Sequence, residues 1–210
     1  MKYTRLIIST NNNHKVEEIK KILKELPIEV LSKKDIGISN FEVNEDGNTL
    51  EENSIKKAKA LADKVEYMVM ADDSGLFVDA LNGAPGVYSS RYAGEDGNDK
   101  KNNIKLLEEL KDVPTENRTA SFLTAIALIT EKKETFVVKG ECRGNIGFEP
   151  TGNGGFGYDP LFIPLGYETT FAVLGDSVKN RISHRARALE EIKGLISNLL
   201  LGEDNEGSSN

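Results

Sequence analysis

The segment LIISTNNNHKVEEIKKILKELPIEVL, residues 6–31, decides the fold class of this chain. Its first three residues, Leu6, Ile7 and Ile8, form a short apolar run that is typical of a buried strand. After a polar stretch, apolar side chains recur on one helical stripe: Val16, Ile19, Ile22, Leu23 and Leu26. Pro27 ends that helix, and residues 28–31 are again apolar enough for a strand. A strand, a helix and a second strand in this order predict a crossover connection.

Three further helices are predicted along the chain. Thr49 and Glu52 have the spacing of a capping box, which places a helix start there and an end near Lys64. Residues 98–110 form a second amphipathic pattern, and residues 186–199 carry the apolar stripe of a last helix.

The remaining regular segments are predicted strands. Residues 68–71 are apolar and predict a buried strand that ends abruptly at Asp72. Residues 120–129 and 135–143, joined by the charged residues 131–134, predict a long antiparallel hairpin. Because the chain combines a crossover with a hairpin, we expect an α/β fold with a mixed β-sheet, in two lobes with a cleft between them.

The bulk composition is that of an ordinary globular protein. The chain has 210 residues, of which 38% are apolar and 29% are charged, so one domain or one two-lobed domain is expected. We assign residues 1–201 to that domain and predict that the acidic residues 202–210 form a disordered tail. The formal net charge of −7 argues against broad contact with nucleic acid, although a few local cations can still surround a small polyanion.

The compartment follows from what the sequence lacks. Cys142 is the single cysteine, which excludes an internal disulfide and favours the cytoplasm. Residues 1–5 lead directly into a strand-like segment, so we expect no signal peptide. No run approaches the roughly 20 apolar residues that span a bilayer, so no membrane partner is expected.

The polar segment after the first strand is the first candidate site. It consists of Thr10, Asn11, Asn12, Asn13, His14 and Lys15. Free backbone N–H groups at a helix start, with a lysine in the first turn, suit a phosphate group. The segment lacks the glycines of a Walker loop, so its spacing alone favours the alternative of an asparagine-rich turn that caps the helix.

Adjacent carboxylates form the second candidate site. Asp72 and Asp73, followed by Ser74, come directly after an apolar strand. Mg²⁺ binds one or two carboxylates together with phosphate oxygens, and Glu45 could supply a further ligand. The alternatives are an acidic turn ended by a glycine and, for Glu45, a solvated charge on a loop.

Two later segments add an aromatic ring and basic groups. Residues 152–160 are rich in glycine around Phe156, which suits the stacking of a flat ligand or a turn with aromatic rings in the core. Residues 179–185 end in His184 and Arg185, which could contact a ligand or lie exposed after Ser183 caps the last helix. Spacing alone therefore supports a phosphate and metal site but does not name a reaction.

Taken together, these segments resemble the inosine triphosphate pyrophosphatase family, which removes non-standard purine triphosphates. The similar stretches are residues 10–15, 45–53, 71–76, 83–92, 154–160 and 179–185. The resemblance extends in order from about Leu6 to Leu200. Two positions depart from the family pattern, since Val173 replaces a usual glutamate and Asn11 stands where many members have glycine.

The resemblance implies an elongated mixed sheet flanked by helices, with the substrate in a central cleft, and a homodimer. It implies that water cleaves ITP, dITP or XTP into the nucleoside monophosphate and pyrophosphate, with Mg²⁺ as cofactor. Glu45 and Asp73 would hold Mg²⁺, and Asp73 would activate the water, with Asp72 as the rival for either role. Lys15, Lys57 and Lys179 would offset the triphosphate charge.

The same resemblance assigns the remaining contacts. Hydrogen bonds to the phosphates would come from Thr10, Asn12 and Ser74. The residues expected beside the base are Phe156, Gly157, Tyr158, Asp159, His184 and Arg185. Two other functions are to be weighed: a Maf-like pyrophosphatase acting on pyrimidine triphosphates, and a non-catalytic protein that senses purine nucleotides.

Overall fold

A single mixed β-sheet of six strands organises the molecule. The computed structural model describes residues 4–206. The strands are β1 (Thr4–Ile8), β2 (Ile28–Ser32), β3 (Met68–Val78), β4 (Thr119–Ile129), β5 (Thr135–Ile146) and β6 (Phe162–Pro164). Their order across the sheet is β2-β1-β3-β4-β5-β6. Strands β2, β1 and β3 are parallel and β3 to β6 are antiparallel, which confirms the predicted α/β fold with a mixed sheet.

Within residues 4–206, six α-helices accompany the sheet. They are α1 (Asn13–Leu23), α2 (Leu50–Ala62), α3 (Asp99–Glu109), α4 (Phe171–Leu174), α5 (Asp176–Ile182) and α6 (His184–Glu206). The predicted capping box is present, because Thr49 Oγ1 accepts a hydrogen bond from the Glu52 amide at 3.1 Å. No helix within residues 4–206 combines the length and the apolar character needed to cross a bilayer.

The structure tests four of the predictions about secondary structure. The crossover unit and the long hairpin are confirmed. The predicted end of the third strand is wrong, because β3 continues through Asp72 to Val78 in register with β4. The helix α6 extends to Glu206 and so includes the first part of the predicted tail, while residues 207–210 lie outside the described residues.

The uneven lengths of the strands open a space beside β3. β1 pairs with β3 only as far as Ile8 and Met70, whereas β3 pairs with β4 along its whole further length. Within residues 4–206, no strand lies beside β3 on the β1 side after Met70. The polar loop after β1 and the end of β2 border this gap, as expected for the carboxyl edge of parallel strands in an open α/β sheet.

Apolar packing on both faces of the sheet holds the elements in place. One core joins β1 to helices α1 and α6 through residues such as Leu6 and Leu189. A second core joins the opposite face to α2 through residues such as Val69 and Leu61. A third core surrounds the far ends of β3, β4 and β5, where Phe122 and other aromatic rings meet.

Candidate active site

A cleft of about 520 Å³ lies beside β3 and contains most of the predicted site. The predicted residues on its walls are Thr10, Asn11, Asn12, Lys15, Glu45, Lys57, Asp73, Ser74, Phe156, Gly157, Tyr158, Asp159, Lys179, His184 and Arg185. Asn13, His14 and Asp72 are not among its lining residues. The folded chain therefore brings together residues from all four candidate segments.

The loop after β1 joins the sheet to α1. Asn12 is the N-cap of that helix, and its side-chain oxygen accepts a hydrogen bond from the Lys15 amide at 3.2 Å. The ring of His14 stacks on that of Phe156, with their centroids 5.3 Å apart. The side chain of Lys15 points the other way, and its Nζ lies 2.5 Å from Asp72 Oδ1. The same loop therefore both caps α1, through Asn12, and places the Lys15 cation at the cleft.

The two adjacent carboxylates lie inside β3, not on a turn as the sequence indicated. Successive strand residues face opposite sides of a sheet, so Asp72 and Asp73 have different surroundings. Asp72 is fully buried, with Arg185 and Lys15 as partners, whereas Asp73 faces Lys57 of α2. The strand continues through both carboxylates because these cations compensate charges that would otherwise be costly to bury.

Asp72 is held by several donors at once. Arg185 donates from Nε to Oδ2 at 3.0 Å and from Nη2 to Oδ1 at 3.2 Å, and Thr124 Oγ1 donates to Oδ2 at 2.9 Å. Burial alone would raise the pKa of Asp72, but Arg185 and Lys15 hold it well below its usual value. Asp72 is therefore an ionised carboxylate whose oxygens are already occupied.

Asp73 belongs to a second cluster, on the cleft wall. Lys57 Nζ donates to Asp73 Oδ1 at 2.9 Å, to Glu45 Oε2 at 3.2 Å and to the Asp72 carbonyl at 2.9 Å. Asn53 Nδ2 donates to the other carboxylate oxygen of Asp73 at 3.2 Å. Burial raises the pKa of Asp73, although Lys57 acts against this shift. Burial acts to raise the pKa of Glu45, but Lys57, Asp73 and Lys15 together lower it below its usual value.

This second cluster contains two carboxylates of the kind that magnesium ions bind. Glu45 and Asp73 both reach Lys57 Nζ, so their carboxylates converge on one point of the cleft. Within residues 4–206, no set of three or more Asp, Glu, His or Cys side chains is arranged to enclose a metal. Mg²⁺ is commonly held by one or two carboxylates and completed by phosphate oxygens and water, so the two carboxylates fit this ion.

The glycine-rich segment and α5 form another wall. Lys179 lies in α5, and its Nζ contacts Asp159 Oδ2 at 2.5 Å and Glu18 Oε1 at 2.8 Å. The Lys179 ammonium also lies 4.2 Å from the centre of the Phe156 ring. At Gly155, a Cβ atom would lie 2.1 Å from the Asp159 carboxylate, so a side chain there would displace this wall.

His184 and Arg185 are buried at the start of α6, so the alternative that leaves them exposed is wrong. Ser183 does cap this helix, since its Oγ accepts a hydrogen bond from the Ala186 amide at 3.2 Å. The His184 ring stacks on Phe122 at a centroid distance of 4.8 Å, and burial lowers its pKa well below the usual value. Among the described residues, its buried Nδ1 has no hydrogen-bond partner.

The guanidinium of Arg185 is largely committed to protein partners. It donates to both oxygens of Asp72, to Glu18 Oε2 at 2.6 Å and to Ser74 Oγ at 3.1 Å. Among the described residues, these bonds leave one N–H of the fork for another partner. Arg185 therefore lines the cleft, but its main contacts join α6 to α1 and β3.

Sequence reasoning missed several residues of this region. Glu18 of α1 is buried and joins Lys179 to Arg185, and its three-residue spacing from Lys15 was the available signal. Lys33, which follows β2, and Phe122 of β4 line the cleft without any local motif. Val173, the departure from the family pattern, is 48% exposed in α4 and is not a lining residue.

The fold and the cleft define an α/β protein with a carboxylate and lysine cluster facing an aromatic ring. Residues 6–195 match the model of the Ham1 family. The chain belongs to the Ham1 family, which confirms the resemblance inferred from its motifs.

Named relatives and solved structures agree with this assignment. A dITP/XTP pyrophosphatase of Clostridium perfringens is 52% identical, over 93% of this chain and 98% of its own. A dITP/XTP pyrophosphatase of Bacillus subtilis is 48% identical, over 90% of this chain and 96% of its own. The Ham1 protein of Staphylococcus aureus superposes with a TM-score of 0.82 at 38% identity, covering 93% of this chain and 99% of the other.

Proposed function

We propose that this protein hydrolyses the non-standard purine nucleoside triphosphates dITP, XTP and ITP to the monophosphate and pyrophosphate. Such an activity would keep deaminated purines out of the nucleotide pool. Membership of the Ham1 family and the two relatives named dITP/XTP pyrophosphatases support this proposal. The observation that carries it is one cleft with the Lys57, Asp73 and Glu45 cluster on one wall and Phe156 on another.

Asp73 is the residue we propose for activating the attacking water. Its carboxylate lines the cleft and its pKa is raised by burial, which favours acceptance of a proton. Asp72, the rival, is fully buried and engaged by Arg185 and Lys15. The water oxygen would bond to the α-phosphorus as the bond to the bridging oxygen breaks, its proton would pass to Asp73, and pyrophosphate would leave.

Charge neutralisation is the second requirement of phosphoryl transfer. Lys15 and Lys57 would face the phosphates from α1 and α2, with Lys179 nearer the base. Thr10, Asn12 and Ser74 would donate hydrogen bonds to phosphate oxygens. Glu45 and Asp73 would hold Mg²⁺, which, when bound, neutralises phosphate charge and makes the phosphorus more electrophilic.

Recognition of the base would depend on the wall opposite this cluster. Phe156 would stack on the purine, with Gly157, Tyr158 and Asp159 around it. A neutral His184 can donate one hydrogen bond to the carbonyl at the six position of hypoxanthine or xanthine, where adenine carries an amino group. Such a site would reject adenine, because the amino group of adenine and the buried donor of His184 would both remain without an acceptor. The N–H of Arg185 that no described residue engages could add to this contact.

A cytoplasmic homodimer completes the proposal. Family resemblance supports the dimer, and large exposed apolar side chains such as Leu165, at 72%, and Phe148, at 62%, are compatible with a partner surface. A lone buried thiol at Cys142 agrees with a reducing compartment. Light scattering after size exclusion measures the mass directly, and a monomer at micromolar concentration would contradict the dimer.

One turnover panel tests the function. It compares dITP, XTP, ITP, ATP and UTP, with and without Mg²⁺, and measures pyrophosphate separately from orthophosphate. We expect Mg²⁺-dependent release of pyrophosphate from the first three nucleotides, with kcat/KM at least about a hundredfold above that for ATP. Preference for UTP would instead favour a Maf-like activity, and binding of ITP without turnover would favour a sensor.

A further inference from the structure

Four lysines line the cleft, and one of them differs from the others in its partners. Lys15 pairs with Asp72, Lys57 with Asp73 and Glu45, and Lys179 with Asp159 and Glu18. Among the described side chains, Lys33 forms no ion pair with a carboxylate, although Glu42 and Glu45 are near enough to act on its charge. Its Nζ donates to the Phe41 carbonyl oxygen at 2.6 Å and lies 5.9 Å from the centre of the Phe41 ring.

The burial of Lys33 makes this difference significant. The residue is 5% exposed, yet it lines the cleft, so its ammonium is withdrawn from bulk water beside a space that a ligand can fill. Burying this cation is costly: burial lowers the pKa of Lys33, and the nearby carboxylates of Glu42 and Glu45 only partly offset that effect. An anion in the cleft would remove this cost, whereas the other three lysines already have carboxylate partners.

The topology of the sheet indicates which part of a substrate Lys33 can reach. It follows directly after β2, the strand beyond β1, while Asp73 lies on β3. Neighbouring strands are about 4.8 Å apart, so two strand spacings, or about 10 Å, separate the two strands. The glycine-rich segment lies on the opposite flank of β3, because Tyr158 packs with Phe122 and Cys142 of β4 and β5. Lys33 therefore lies on the side of the cleft away from the proposed base site.

We propose that Lys33 binds the terminal phosphate of the nucleoside triphosphate and, after cleavage, the pyrophosphate that leaves. This assignment rests on the proposed function, because Asp73 marks the position of the α-phosphate and Phe156 that of the base. An ammonium on this side contacts the β- and γ-phosphates but not the monophosphate. Lys33 thus distinguishes a triphosphate from a monophosphate product in the same cleft.

Product inhibition of dITP turnover tests the assignment in Lys33→Met, which keeps most of the apolar stem, with exposed Lys34→Met as the matched control. Sodium pyrophosphate and dIMP serve as separate inhibitors. We expect the inhibition constant for pyrophosphate to rise roughly tenfold or more in Lys33→Met, since hydrogen bonds to charged groups are strong. The constant for dIMP should stay within about twofold, Lys34→Met should match wild type, and Lys33→Arg should restore most of the pyrophosphate affinity.

An unchanged pyrophosphate constant in Lys33→Met would overturn the assignment. An equal rise for pyrophosphate and dIMP would also overturn it, since that result indicates a general distortion of the cleft. Failure of the proposed function is recognised separately, because wild-type protein would then release no pyrophosphate from dITP. In that case calorimetric titration with pyrophosphate, comparing wild type with Lys33→Met, still decides whether Lys33 binds it.

Discussion

Replacing Asp73 and Asp72 by asparagine, one at a time, separates the chemistry of the cleft from the stability of the fold. Asp73→Asn removes a proposed base and metal ligand, so turnover should fall by about 10²–10⁴-fold or more. Lys57 keeps Glu45 and a backbone carbonyl as partners in this variant. Because Lys57 keeps these partners and burial already disfavours the Asp73 charge, the free energy of unfolding should fall by less than the roughly 3–5 kcal/mol that loss of a buried partner costs.

Asp72→Asn should instead lower the stability of the fold. The carboxylate is fully buried and forms ion pairs with Arg185 and Lys15. Removing one partner of a buried pair costs about 3–5 kcal/mol, because the remaining charge is left without compensation. A domain with a stability of about 5–15 kcal/mol would lose a large share of it.

Urea unfolding at neutral pH and pyrophosphate release from dITP, measured on the same preparations, check both results. If Asp73→Asn keeps more than about a tenth of the wild-type rate, Asp73 is not the base and Asp72 becomes the candidate. If Asp72→Asn unfolds within about 1 kcal/mol of wild type, the ion pairs of Asp72 do not stabilise the fold as argued.

Three further predictions concern single positions. Lys15→Ala should raise KM equally for ITP and XTP, because its charge faces phosphates, and a change in the ratio of their kcat/KM values would contradict that role. His184 stays neutral when folded, whereas the unfolded chain takes up a proton below pH 6.5. Unfolding free energy should therefore fall by up to about 1.4 kcal/mol per pH unit below that value. In His184→Asn, the unfolding free energy should depend less on pH below 6.5, as urea titrations at several pH values would show. An equal pH dependence in the variant and wild type would show that a buried neutral His184 is not its cause. Gly75→Ala would place a Cβ 2.3 Å from the Gly86 carbonyl oxygen. The free energy of unfolding should therefore fall by about 1–3 kcal/mol. A melting temperature equal to wild type would exclude that clash.

Local signals were sufficient for most of the fold. The N-caps at Asn12 and Thr49 depend on residues three positions away, and the amphipathic helices depend on contacts within a few turns. The hairpin of β4 and β5 has a short connection and uninterrupted pairing, so its strands and charged turn are adjacent in sequence. Such features are recognisable from a single chain because their physical causes are local.

The end of β3 could not be predicted in the same way. Two adjacent aspartates are normally exposed to solvent, so the local pattern predicts that the strand ends there in a turn. Arg185, which permits the burial of Asp72, is 113 positions away along the chain. Its guanidinium removes the cost of the buried charge, but no local spacing reveals that the two residues meet.

The sequence by itself determined the fold class, the family and the set of segments that form the cleft. Tertiary structure alone decided the environment of each polar side chain within it. Alternation along β3 assigns Asp72 to a buried ion-pair network and Asp73 to the cleft wall. Among the described residues, pairing between distant elements leaves Lys33 as a cleft lysine that forms no direct ion pair with a carboxylate. Burial and charge compensation depend on these long-range contacts, which periodicity and motif spacing do not contain.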